Sequence, residues 1–195
     1  MSEAPDPTGD RSALPELHGA RVTLRAMRAA DVPALFAMQS DPVGMRYWSY
    51  PPLARIEQAE QLFERNVRAT ETGECLPWIV SLPLDDAMIG TCTLFALDTA
   101  HRRAMVGYGL DRQHWGRGYA QEALHLALGH AFGALALHRI EADIDPRNTA
   151  STRLIERVGF TREGLLRERW FVGDDIQDSV IYGLLARDYA ATPTG

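Results

Sequence analysis

The stretch Gln113-His-Trp-Gly-Arg-Gly-Tyr-Ala120 constrains this chain more than any other. Two glycines, Gly116 and Gly118, flank Arg117 directly ahead of Ala120, Ala123, Leu124, Ala127, Leu128 and Ala131, which recur at helical spacing. Glycine admits backbone conformations that other residues resist and lets a ligand approach the main chain closely. The first N–H groups of a helix have no intrahelical partner, and the helix dipole adds partial positive charge there. A glycine loop running into a helix is therefore a site for an anion, most often a phosphate. A dinucleotide loop would carry a third glycine where Gln121 stands, and a triphosphate loop would carry Gly-Lys-Ser/Thr, which the chain lacks.

The rest of the pattern supplies a sheet for that helix to pack on. Arg21–Arg25 alternates polar and apolar residues as a strand does. Asp31 ahead of Val32, Leu35, Phe36 and Met38, with Pro33 in the first turn, predicts a capped helix that ends at Asp41-Pro42. Ile56, Ala59, Leu62, Phe63 and Val67 predict a second helix to about Glu71, stopped near Gly73. Strands follow at Trp78–Leu82, Met88–Phe95 and Met105–Leu110, joined by connections short enough for antiparallel hairpins. After the glycine loop and its helix come a strand at Arg139–Ile144, a helix at Thr149–Val158, and strands around Thr161–Phe171 and Ile176–Leu185. A strand, helix, strand crossover makes its two strands parallel, so the sheet is mixed.

Hydrophobic residues make up 46% and charged residues 24% of the 195 positions, which suits one soluble globular domain rather than a disordered or fibrous chain. The expected organisation is a flexible leader over 1–18, one domain over 19–190 and a short tail over 191–195. A net charge of −6 and a pI near 5.5 argue against nucleic acid and anionic membranes as partners, since both need concentrated positive charge. The N-terminus has acids, Pro and Gly where a secretory signal would have a basic start and an apolar run. Leu124–Leu137, broken by His125, Gly129, His130 and Gly133, is shorter than the roughly 20 apolar residues of a membrane span. Cys75 and Cys92 are too few for a disulfide framework and sit in no Cys/His ligand pattern, while His125 and His130 are spaced wrongly for one helix face. No metal and a reducing cytoplasm are expected.

Asn148-Thr-Ala-Ser151 with Leu154, then Val158-Gly-Phe160 and Glu163-Gly164, forms a second signature. Together with Gln113-x-x-Gly116-x-Gly118 between the fourth strand and the third helix, it resembles the GCN5-related N-acetyltransferase (GNAT) superfamily. Within that superfamily it is similar to the RimJ/RimL-like branch, which acetylates ribosomal-protein N-termini. The resemblance covers roughly Arg21 to Leu185. It implies an α/β (α+β) fold with a mixed, mostly antiparallel sheet, one parallel splayed strand pair and flanking helices, and it implies acetyl-CoA as the cofactor.

The same resemblance implies roles for individual residues. The cofactor pyrophosphate would sit on the N–H groups from Gln113 to Ala120, with Gly116 and Gly118 leaving room, Arg117 adding charge, and Tyr119 and Ala120 opening the helix. The pantetheine arm would lie between Val106–Leu110 and Ile140–Ile144, with Leu110 and Asn148 against the cofactor. Many members protonate the departing thiolate with a tyrosine seven residues after the asparagine. Ile155 stands there in this chain, and Ser151 is the candidate in its place. Relatives often carry a base glutamate where this chain has Met105, or where it has Trp170. The remaining candidates are Glu168, Asp143, His101 and His138, with Glu168 taken as the catalytic one. Tyr47, Trp48 and Tyr50 line the acceptor pocket in this reading or else simply anchor a long loop.

The implied activity is direct acetyl transfer in a ternary complex to a primary amine, either a protein N-terminus or a small-molecule amine such as a polyamine or an aminoglycoside. Loss of the usual tyrosine and glutamates keeps open a module that binds acyl-CoA without transferring anything. Relatives are often homodimers, although no residue of this chain specifies one.

Overall fold

A computed structural model describes residues 14–190. Leu76–Ser81 forms a strand with every residue buried and lies in the middle of one half of an eight-stranded sheet. The strands are β1 (Leu17–His18), β2 (Thr23–Arg25), β3 (Leu76–Ser81), β4 (Met88–Asp98), β5 (Arg103–Leu110), β6 (Arg139–Ile144), β7 (Thr161–Val172) and β8 (Asp175–Leu185), in spatial order 1-2-3-4-5-6-8-7. The helices are α1 (Val32–Ser40), α2 (Ile56–Glu71), α3 (Tyr119–Phe132), α4 (Thr149–Val158) and the short α5 (Ala186–Ala190).

Every neighbouring pair is antiparallel except β5 and β6, which α3 connects as a crossover. Their parallel ladder has only the rungs Arg103–Arg139, Ala104–Ile140 and Met105–Glu141. Beyond Met105 the two strands part, while β5 stays paired to β4 as far as Leu110 and β6 stays paired to β8 as far as Ile144. The sheet thus opens in a wedge whose inner edges are Val106–Leu110 and Ala142–Ile144.

α3 closes one face of the wedge. Its inward stripe, Ala123, Leu124, Ala127, Leu128 and Ala131, is at most 1% exposed and packs among Val22, Leu24, Trp78, Ile140 and Ile155. Alanines let the helix axis lie close to the sheet, and each buried leucine contributes about 1.5–3 kcal/mol relative to exposure. α1 and α2 pack against each other on a second cluster that includes Leu35, Met38, Ala59 and Ile79. Ile155 of α4 is fully buried in the main core.

The structure corrects two expectations and adds one short helix. The leader does not run to residue 18: Leu14 and Leu17 pack on the core, β1 pairs with β2, and Pro15 C=O accepts the Trp78 indole N–H at 2.7 Å. The rest of the leader, 1–13, and the tail, 191–195, lie outside the described residues. Asp31 does not cap α1. It turns inward instead to accept two bonds of 2.8 Å from the buried Arg25 guanidinium, because an unpaired charge there would cost more than an unfilled cap. Finally, α5 follows β8 without a break, a segment too short for periodicity to reveal. Among the described residues, no helix is long and apolar enough to cross a membrane.

Candidate active site

The glycine loop is built to leave its later N–H groups free. Asp111 accepts the Gln113 N–H through Oδ1 at 2.9 Å and the His114 N–H through its carbonyl, and Trp115 N–H reaches Arg112 C=O. The Trp115 indole donates to Leu110 C=O at 2.8 Å, tying the loop to the end of β5. Gly116 and Gly118 then take φ of 72° and 79°, a left-handed conformation in which a side chain would be strained. The first bond of α3 is Glu122 N–H to Gly118 C=O, so no backbone acceptor among the described residues takes the N–H groups from Gly116 to Gln121. Of the N–H groups expected to face the cofactor, Gln113 to Ala120, that of Gln113 is occupied by Asp111, and the run without a backbone acceptor is Gly116–Gln121.

Arg21 holds this loop from outside. Its guanidinium donates to Arg117 C=O at 3.0 Å and to Glu122 Oε2 at 2.7 Å, while its own N–H reaches Glu122 Oε1. Burial works against the Glu122 charge, but these bonds keep its carboxyl below the usual range. Neither Arg21 nor Glu122 was identified from the sequence, because a contact across a hundred residues leaves no local pattern. Tyr119 lies under the Arg21 guanidinium at 5.7 Å, Ala120 forms the first turn of α3, and the Arg117 side chain is exposed.

From the wedge a cleft of about 860 Å³ runs toward the aromatic loop between α1 and α2. Asn148 and Ser151 line it where β6 gives way to α4. Asn148 Oδ1 caps α4 by accepting the Ser151 N–H at 3.1 Å. The Ser151 hydroxyl is then free for another partner and lies 2.6 Å from the Tyr108 hydroxyl. Tyr108, on the splayed half of β5, was not picked out from the sequence. Burial pushes its phenol up to about 12, against the opposing effect of the Ser151 bond.

The acid–base candidates separate cleanly. Asp143, on the splayed half of β6, lines the cleft and accepts a hydrogen bond from the Ser179 hydroxyl. Burial raises its carboxyl above the usual range, more than Trp170 and Arg169 beside it lower it. Glu168 is not brought there: it sits exposed on a bulge of β7 with φ of 54°, its N–H bonded to Asp178 Oδ1, and it does not line the cleft. His101 is exposed and bonded to Asp98, and exposed His138 precedes β6 at the paired end of the ladder, opposite the wedge. The strand period alone could not show that Asp143 faces the cleft while Glu168 stands off it, because the β7 bulge resets which side each residue takes.

Tyr47, Trp48 and Tyr50 all line the far side of the cleft. Trp48 and Tyr50 meet edge to face at 5.4 Å. Trp48 lies so close to β5 that a Cβ on Gly109 would come within 2.4 Å of its ring, so glycine here makes room for the aromatic wall. Burial pushes the Tyr50 phenol up to about 12. Among the described residues, no group of three or more His, Cys, Asp or Glu is placed to hold a metal ion.

A splayed parallel pair, a glycine loop opening a helix after β5 and a cleft leading from the wedge define an acyltransferase of the GNAT type, and residues 21–161 match the acetyltransferase (GNAT) domain family. The chain belongs to that family and is an N-acetyltransferase. It is 34% identical to the uncharacterized N-acetyltransferase p20 of Bacillus licheniformis, over 89% of this chain and 98% of that protein. Its fold is similar to that of spermidine N-acetyltransferase from Vibrio cholerae in complex with CoA and spermine, with a TM-score of 0.79, 25% identity, and 88% and 99% of the two chains covered. It is also similar to Mycobacterium smegmatis RimJ in complex with CoA-disulfide, with a TM-score of 0.77, 26% identity, and 89% and 87% covered.

Proposed function

We propose that the chain transfers the acetyl group of acetyl-CoA directly to a primary amine held in the cleft. The observation that carries this reading is that the wedge edges Val106–Tyr108 and Ala142–Ile144 line the same cleft as Ser151 and Asp143, while the open N–H run Gly116–Gln121 belongs to the loop that the Trp115 indole ties to the end of β5. The open N–H groups suit a pyrophosphate, and the wedge offers free backbone groups to an extended amide-bearing arm. Asn148, which caps α4 and lines the cleft, would touch the same arm.

Bound acetyl-CoA supplies the acetyl group as a thioester activated toward amines. Asp143 takes a proton from the incoming ammonium, helped by the burial that makes its carboxylate more basic. The Ser151 hydroxyl donates toward the departing sulfur. Tyr47, Trp48 and Tyr50 offer ring faces to a cationic acceptor. The cleft reaches these aromatics from the wedge and is open enough for an extended aliphatic amine, and a relative similar over most of the chain acts on spermidine. Polyamines therefore head the acceptors to test, ahead of protein N-termini.

The test is release of free thiol from acetyl-CoA with a panel containing spermidine, spermine, diamines and peptides with free N-termini. Amine-dependent release is expected with at least one compound, together with its acetylated product by mass spectrometry. Cofactor binding with no release for any amine would overturn the assignment of the cleft.

A further inference from the structure

We propose that Tyr108 is a positioning residue for acyl transfer: its hydroxyl and that of Ser151, 2.6 Å apart where β5 and β6 part, form a two-hydroxyl donor that presents one O–H to the thioester sulfur. The inference rests on the placement of acetyl-CoA in the wedge. Two hydroxyls carry two protons, and the bond between them uses one. When the phenol donates to the serine, the serine keeps its proton for an acceptor in the cleft; when the serine donates, the phenol proton has the Ser151 carbonyl, 3.5 Å away, as an alternative acceptor.

Geometry gives Tyr108 a purpose that Ser151 alone cannot serve. A serine in the first turn of a helix has a freely rotating hydroxyl that readily bonds back to the main chain. Here the serine N–H is already taken by Asn148, and the phenol is carried on a half-buried ring packed against the main core. The ring fixes where the phenol oxygen lies, and the 2.6 Å contact then fixes the serine hydroxyl. Linked hydroxyls also polarise one another, so the outer proton is a stronger donor than that of an isolated alcohol. A tyrosine cannot supply the hydroxyl from the α4 position that Ile155 fills, because that side chain is wholly buried in the core. The phenol reaches the site from the facing strand instead. A donor aimed at a sulfur that gains negative charge lowers the barrier to its departure.

Calorimetric titration with CoA and with desulfo-CoA tests this without an acceptor. Wild-type protein should bind CoA about tenfold more tightly than desulfo-CoA, an advantage of the size of one hydrogen bond to a polar sulfur. Tyr108→Phe, Ser151→Ala and the double variant should each erase most of that preference to the same level, while desulfo-CoA affinity and melting temperature stay near wild type. With an amine that is turned over, Tyr108→Phe should lower kcat at least tenfold with little change in the KM for acetyl-CoA, and the double variant should lose no more than Ser151→Ala alone. Full preference in Tyr108→Phe with loss in Ser151→Ala would overturn the role of Tyr108 and leave the serine acting alone. Equal binding of CoA and desulfo-CoA by wild type would overturn the placement of the pair but not that of the cofactor. Failure of either compound to bind would overturn the proposed function itself. If Tyr108→Phe does not fold, Tyr108→Leu, which also lacks the hydroxyl, takes its place in the same comparison, with the same outcomes supporting or overturning the role of Tyr108.

Discussion

At the scale of single residues, the proposed chemistry rests on one carboxylate whose neighbours disagree about its charge. Asp143 faces Arg169 and Trp170, which favour the ionised form, but burial dominates and raises its carboxyl above the ordinary value of 3.8. A base works only when deprotonated. The kcat profile should therefore rise with pH through an acidic limb lying above the usual carboxylate range. Asp143→Asn should lower kcat by about a hundredfold or more and abolish that limb, while CoA affinity is retained. A variant with wild-type kcat would remove Asp143 from the reaction. Gly118 carries a different burden. Its φ of 79° is strained for any other residue, and a Cβ would lie 3.2 Å from the Arg21 guanidinium. Gly118→Ala should cost roughly 1–2 kcal/mol of stability from the backbone alone, and CoA affinity should fall as the loop shifts. Unchanged CoA binding in that variant would show that the loop is not the phosphate cradle. The glycine motif was legible in the sequence because a conformational demand leaves its mark at the residue that meets it. Tyr108 and Asp143 were less so, since a tyrosine or aspartate on a strand looks the same whether it faces solvent or a cleft.

At the scale of elements, the sequence was most informative where one face of a segment is apolar and its ends are marked. α2, β6 and α4 occupy the residues that their spacing predicts, because each buries a single stripe. It was least informative where a polar residue answers to something distant, as Asp31 does. An aspartate ahead of a helix reads locally as a cap, but here it neutralises Arg25, whose side chain is only 3% exposed. Asp86 also bonds Arg25, at 2.6 Å, from the turn between β3 and β4. The pair fastens β2 to the start of α1. Replacing Asp31 by Asn leaves the guanidinium buried with one carboxylate rather than two, and should destabilise the protein by about 3 kcal/mol, the low end for a broken buried pair. Burial opposes the Asp31 charge, yet its bonds from Arg25 and the Arg28 N–H hold the folded value below the ordinary 3.8. A depressed carboxyl stabilises the fold above its unfolded pKa and loses that contribution as the pH falls through the folded value. The gap in melting temperature between wild type and Asp31→Asn should thus be full at neutral pH and close in acid. A gap that is constant down to strongly acidic pH would mean that the charge of Asp31 is not what matters.

At the scale of the whole molecule, the sheet is two antiparallel halves, β1–β5 and β6–β8–β7, joined by a three-rung parallel ladder from Arg103 to Met105 and by the packing of α3 and α4 across it. A fold that needed only stability would zip the ladder to its end. Leaving Val106–Leu110 and Ala142–Ile144 apart sacrifices strand pairing in the centre of the protein, and a ligand that pairs with both edges restores it. CoA should therefore act as a missing strand as well as an anion on the loop. At about 100 times its dissociation constant a ligand adds roughly 2.7 kcal/mol, which for a chain of this length raises the melting temperature by about 5–10 °C. Amide hydrogen exchange should locate that gain: slowing on CoA binding should concentrate at 106–110, 142–144 and the loop run 116–121, with little change in β1–β3. Binding that protects only the loop would make the wedge a bystander, and the cofactor would then be held by its phosphates alone. Protection of both edges together would show that the two halves are coupled through the ligand, and that the gap in the sheet is where the cofactor completes the fold.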